Sequence, residues 1–329
     1  MSLRRKLGGV LPEGATTSES ATEIASKEFF ELCKLEAITS PFETSSKFDV
    51  GHSDNNLSPI DLFITNTKQL NKLVTSDYSP VLGNLILLGY VSAAESYIRA
   101  LIRKLIHCDE YISALVSEKS VSYAAALHHK KEILPEALLE DFSLASPYNV
   151  FETLKELIGM KGNRPNPLIL PSQEFKKVCE LRHCCVHRFG KLGSKNAIRL
   201  GLAAHTKSLE KPILLLAEDV DKIAFIVDNF VRSINNYVFK FLLERSVKNR
   251  DDSGGVCYEA EWLWVYAKDK KRFSKYYKIF SSKEDVYKSM TLRAAYEKFY
   301  SALKPEIANL PERKPKGQKR NTSQDANNV

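Results

Sequence analysis

Hydrophobic positions recur at three- and four-residue steps over most of the chain, and that period predicts helices. The clearest run is Pro80 to His107, where Leu85, Leu88, Ser92, Glu95, Ser96, Arg99 and Arg103 repeat at helical spacing. Ser58-Pro59 predicts a helix entry, with Ser58 as N-cap and Pro59 in the first turn. Leu62, Phe63, Leu70 and Leu73 then form its apolar face. Residues 27–38 read as a short helix, and residues 109–160 as further helix broken at Pro135 and Pro147. Pro171-Ser172 opens a helix that runs to about Phe189, where Gly190 and Gly193 stop it. Residues 218–248 carry a continuous stripe that includes Val220, Ile223, Val227, Phe230, Ile234 and Val238. Two segments suggest strands, Ala197 to Leu202 and Ile213 to Leu216. The expected fold class is mainly α, a helical bundle.

Interruptions in the pattern divide the chain. Residues 1–25 are rich in Ser, Thr, Gly and Glu and predict a flexible arm. Residues 26–248 form the helical domain. Asn249 to Gly255 is turn-rich and marks the expected boundary. Residues 256–310 follow with a different composition, in which Trp262, Trp264, Tyr266, Phe273, Tyr276, Tyr277 and Phe280 alternate with Lys and Arg. The alternation of Trp262, Trp264 and Tyr266 suggests a strand. Residues 311–329 read as a disordered tail.

Composition narrows the class. At 43% hydrophobic and 27% charged residues, the 329-residue chain has the balance of a globular protein. No run approaches eighteen uninterrupted apolar residues, so no membrane association is expected, and no apolar core of a secretory leader follows the N-terminal charges. The six cysteines include no Cys-x-x-Cys pair, which predicts reduced thiols and a cytoplasmic protein. Cys179 and Cys184 lie near His183 and His187, yet no second ligand pair has the spacing of structural zinc, so neither metal nor cofactor is expected. The net charge is +8. From Lys248 onward there are eighteen Lys and Arg against eleven Asp and Glu, a surplus of seven, so the basic excess is concentrated in the last quarter. Such a patch suits a phosphate-rich partner or serves as a solubilising surface.

The chemistry concentrates in Arg182-His183-Cys184-Cys185-Val186-His187. On a helical wheel Phe175, Val178, Cys179, Val186 and Phe189 form one apolar stripe, with Arg182 in its middle and His187 about 140° away at the edge. A guanidinium on an apolar face needs a carboxylate, a phosphate or a partner subunit. Glu95, among Leu88, Val91, Ala94 and Ile98, is the candidate carboxylate. A purely structural arrangement would pair Arg182 with Glu95 and leave His187 capping a helix end.

This region resembles the HEPN superfamily of helical-bundle RNases, whose signature is Arg, a polar residue, a few more residues and His. Arg182 and His187 match it with four residues between them, and the helix containing Ala94-Glu95-Ser96-Tyr97-Ile98-Arg99 is similar to the helix that packs beside the motif in RNase-like, defence-associated members. The resemblance covers roughly residues 55–248. It implies a metal-independent endoribonuclease in prokaryotic phage defence or stress response, with RNA as substrate and a homodimer formed through the motif-bearing helix. In that chemistry the RNA 2′-hydroxyl attacks the adjacent phosphate. His187 acts as general base or acid, Arg182 holds the phosphate, and His183 and Glu95 support them. Arg188 is a candidate second phosphate contact. Cys184-Cys185 is an uncommon interior for the motif. The alternative is a non-catalytic HEPN-like module that dimerises or binds nucleic acid or protein. Outside the resemblance, Lys270, Lys271, Arg272 and Lys275 are candidate RNA contacts, with neighbouring aromatics to stack bases or simply to pack.

Overall fold

A computed structural model describes residues 40–52, 57–75, 77–248 and 262–308. The predicted N-terminal arm, the helix over 27–38, the turn-rich linker and the tail from 311 lie outside the described residues, as do Cys33 and Cys257. Residues 40–52 belong to a separate unit, exposed throughout, with a single 3-10 turn at Ser45–Lys47. The other unit carries all the α-helices of the described residues.

Among the described residues all regular structure is helical. In chain order the helices are α1 (Pro59–Asn71), α2 (Pro80–Cys108), α3 (Glu110–Val116), α4 (Tyr123–His128), α5 (Leu134–Leu139), α6 (Pro147–Ile158), α7 (Asn166–Arg188), α8 (Ser194–His205), α9 (Ala217–Lys248), α10 (Tyr266–Phe280) and α11 (Leu292–Ala308). Their starts follow from local chemistry. Ser58, Ser79, Asp109, Ser122 and Ser146 each accept a hydrogen bond from a backbone N–H three residues on, the standard N-cap arrangement. Pro59, Pro80 and Pro147 follow three of these caps, where a missing N–H costs nothing. Gly159 closes α6 in the left-handed conformation, at φ 75°.

Helix α2 is the centre of the bundle. It packs against α1, α7 and α9, and it buries residues on more than one face, among them Ile86, Leu87, Tyr90, Tyr97, Leu101 and Leu105. By length and composition it is apolar enough to cross a membrane, but 61% of its most apolar window is buried inside the protein. An all-round apolar helix is expected at the core of a bundle of this size. Aromatic contacts lock its neighbours: Phe175 of α7 stacks on Phe230 of α9 with ring centroids 4.2 Å apart, and Phe63 of α1 meets the edge of Tyr97 at 6.2 Å. The buried Tyr97 hydroxyl donates to Asn235 (3.1 Å), whose amide donates on to the carbonyl of Phe280 (3.0 Å).

Three expectations from the pattern are corrected. Ala197 to Leu202 is helix α8, kinked at Gly201 (φ 105°), and Ile213 to Leu216 is irregular chain. A strand needs a neighbour to pair with, and here only the isolated bridge Lys191–Pro212 forms among the described residues. Trp262, Trp264 and Tyr266 do not alternate as a strand. Trp262 and Trp264 lie just before α10 and pack on Phe299 of α11, with centroids 5.0 and 5.6 Å away. Finally, α7 begins at Asn166 rather than Pro171 and carries Pro171 inside its second turn. There it removes the backbone hydrogen bond that residue 171 would otherwise donate to the carbonyl of Pro167.

The two C-terminal helices have a small core of their own, in which Trp262, Phe273, Tyr296, Phe299 and Leu303 gather with Leu243 of α9. They also enter the main core through Ile279 and Phe280. Two buried carboxylates fasten them. Asp61 of α1 accepts from the Ser282 hydroxyl and from the backbone N–H groups of Lys283 (2.9 Å) and Glu284 (3.1 Å). Asp109 caps α3 and accepts from both Arg245 of α9 and the Tyr276 hydroxyl (2.9 Å).

Candidate active site on the motif helix

Helix α7 is held between α2 and α9 by its buried residues Leu168, Phe175, Val178 and Cys179. Beyond Cys179 the buried stripe drifts round the helix. Cys184 becomes fully buried against Leu192 and Ala197. Val186 and Phe189, expected in the apolar stripe, are instead 47% and 85% exposed. The reason is the helix end. Phe189 takes the left-handed conformation (φ 51°), Gly190 follows at φ 85°, and the chain turns back under α7. Gly190 N–H donates to the carbonyl of Cys184 (3.1 Å), and its own carbonyl accepts from Ile213 N–H (2.9 Å).

The turn decides where the motif points. Arg182 is half-buried, and the adjacent His183 and His187, one turn beyond His183, are exposed. The two imidazoles lie side by side, with ring centroids 4.4 Å apart and planes tilted by 52°. Burial, then the neighbouring His187, holds the His183 imidazole below its ordinary range. Glu95 stands on α2 opposite Arg182. Burial raises its carboxyl above the usual carboxylate range, and the nearby Arg182 and Arg99 charges offset this only in part. Its Oε1 is buried without a hydrogen-bond partner. Arg182 and Glu95 are thus coupled through space, but no hydrogen bond joins them among the contacts of the described residues.

The arginines make this sharper. Of the ten arginines in the described residues, Arg99, Arg103, Arg188, Arg199, Arg232, Arg245 and Arg293 each reach a carboxylate, and Arg164 and Arg272 lie over aromatic rings. Arg182 does neither, so its donor fork is open.

The remaining sequence candidates fall in two places. Arg188 is held by Glu210, both guanidinium bonds coming from Nη2 at 2.7 and 2.5 Å, so it ties the 206–212 loop to the end of α7. Lys270, Lys271, Arg272 and Lys275 lie on α10, which makes no contact with α7. Lys268, Lys271, Lys275 and Lys278 fall on one exposed face of α10, opposite its buried residues Asp269, Phe273 and Phe280. Arg272 lies over Trp262 at 5.6 Å.

One residue escaped the sequence reading. Asn84 lies three turns before Glu95 on the same face of α2, and its Oδ1 is also buried without a partner. Its amide nitrogen approaches Gly190, where a Cβ would stand 3.1 Å away. The eleven-residue spacing from Glu95 was the available signal. Orphaned buried oxygens of this kind ask for water or a ligand. The thiols are poor nucleophiles here. Burial pushes Cys179 up to about 12 and Cys185 up to about 11. No protein-family model, curated protein or solved structure matches the chain.

Proposed function

We propose that the chain is a HEPN-type endoribonuclease that cleaves RNA by attack of the 2′-hydroxyl on the neighbouring phosphate, without a metal cofactor. The observation that carries this reading is the open fork of Arg182, half-buried beside the Glu95 carboxylate and five residues before His187 on the same helix. A guanidinium held this way is ready to take a phosphate through two parallel N–H donors. His187, exposed at the end of the same helix, can remove the 2′-hydroxyl proton or return one to the leaving 5′-oxygen. Glu95 holds the guanidinium by charge without filling its donors, and His183 lines the same rim.

Exposure of Val186 and Phe189, with Leu85 on the neighbouring helix 59% exposed, supports a homodimer through the motif-bearing helix. The lysine face of α10 supplies a second, remote contact for the RNA backbone. A role in phage defence or stress response rests on the family resemblance alone.

Purified protein incubated with mixed RNA should leave products ending in 2′,3′-cyclic phosphate. His187→Ala should lower cleavage by about 10²- to 10⁴-fold, and Arg182→Ala by about 10²- to 10³-fold, each with the helical circular-dichroism signal unchanged. Wild-type protein that leaves RNA intact as both monomer and dimer sinks the reading. The favoured reading is then a non-catalytic module that uses the same exposed apolar rim for association.

A further inference from the structure

Two imidazoles four residues apart on a continuous helix project to the same side, and this pair does so at its solvent face. We propose that His183 and His187 form a two-imidazole chelate for a borderline transition-metal dication of the zinc and nickel class, with water completing the shell. Helical i, i+4 histidines are the ligand spacing used where one helix face holds zinc, and imidazole nitrogen suits zinc, nickel and copper alike.

The ring separation of 4.4 Å already brings the two rings together on one side of the helix. The helix end is fixed by several ties: Gly190 N–H to Cys184, the Lys191–Pro212 bridge and the Arg188–Glu210 pair. The rings therefore share a rigid platform, and little order is lost on binding.

The surrounding charge does not forbid a cation. The site lies in the last turn of α7, where the carbonyl end of the helix dipole favours positive charge. Of the three arginines nearby, Arg188 is neutralised by Glu210, Arg199 turns to Glu180 (3.4 Å), and Arg182 faces Glu95. Glu180, one turn before His183, accepts from Asn196 (2.8 Å), so it is occupied and is not offered as a third ligand. The thiols are excluded by placement: Cys184 is fully buried on another face and Cys179 points into the main core.

The binding does not depend on the RNase reading. If that reading holds, a bound ion occupies the imidazole of His187 and switches cleavage off. The test therefore reads metal directly, without RNA. Untagged full-length protein is titrated with Ni²⁺ by calorimetry. One ion per chain is expected. Either His183→Ala or His187→Ala should weaken binding by roughly 10²-fold, because the second bond of a chelate forms at high effective concentration. A His128→Ala/His129→Ala variant should bind as wild type. Ni²⁺ should raise the melting temperature of wild type but not of the two single variants, since only the folded helix holds the pair together. Affinity unchanged in either single variant, binding abolished by thiol alkylation while both histidines remain, or no binding at millimolar Ni²⁺ would each overturn the proposal.

Discussion

Glu95 is the residue whose environment works hardest against it. Its carboxyl is desolvated, one oxygen lacks a donor, and the two nearby guanidinium charges do not fully compensate. A carboxyl whose folded-state pKa lies above its unfolded value binds its proton more tightly in the folded protein. Stability is therefore greatest below the ordinary carboxylate range and falls as pH rises through that range toward the raised value. Glu95→Gln should then raise the urea midpoint at pH 7, and the difference from wild type should vanish near pH 4. An equal shift at both pH values would show that packing, rather than ionisation, sets the effect. If Glu95 also positions Arg182, the same variant should lose cleavage while gaining stability, the trade expected of a functional site. The residue logic was readable from sequence for Arg182, because a guanidinium amid apolar positions is conspicuous. It failed for Val186 and Phe189, because a helical wheel assumes one partner face for the whole helix. Here the left-handed Phe189 ends that face early.

At the level of elements, the start at Ser58-Pro59 was legible because capping is local chemistry. Ser146 caps a helix at Pro147 in the same way, yet Pro147 read only as a break within a longer helix. The segment 194–216 was misread because Ala197–Leu202 is apolar and short, and periodicity cannot separate a short helix from a strand. What decides it is the position of Asn196, buried and donating to Glu180 across the α7–α8 junction. That junction turns on Gly190. At φ 85° an L side chain is strained, and a Cβ would also stand 3.1 Å from the amide of Asn84. Gly190→Ala should cost about 1–2 kcal/mol, the usual penalty for a left-handed L-residue, read as a lower denaturation midpoint. It should also disturb the His183–His187 geometry, visible as weaker Ni²⁺ binding.

For the molecule as a whole, mainly α architecture was legible because the 3.6-residue period runs through nearly every segment. The role of the C-terminal helices was not. Their aromatic and basic composition differs from what precedes them, and composition reports neighbours in sequence rather than in space. In the structure Phe239 packs on both apolar clusters, so α9 is shared ground between them. The lysines of α10 look outward only because Phe273, fully buried, and Asp269, bonded to Tyr296 (2.6 Å) and to Leu263 N–H (3.1 Å), anchor its opposite side.

The two carboxylate fastenings, Asp61 and Asp109, bear on where this chain can be divided. A composition-guided truncation after Lys248 would remove every donor that reaches Asp61 from residues 282–284, and would take Tyr276 from Asp109. It would also uncover the patch of main core that Ile279 and Phe280 cover. Such a fragment should melt several degrees lower than the full chain and self-associate as concentration rises, measurable by scanning calorimetry and light scattering. Residues 262–308 are thus a lid of the bundle rather than an appendage, and a deletion designed to ask whether they bind RNA would be asking first whether the protein still folds.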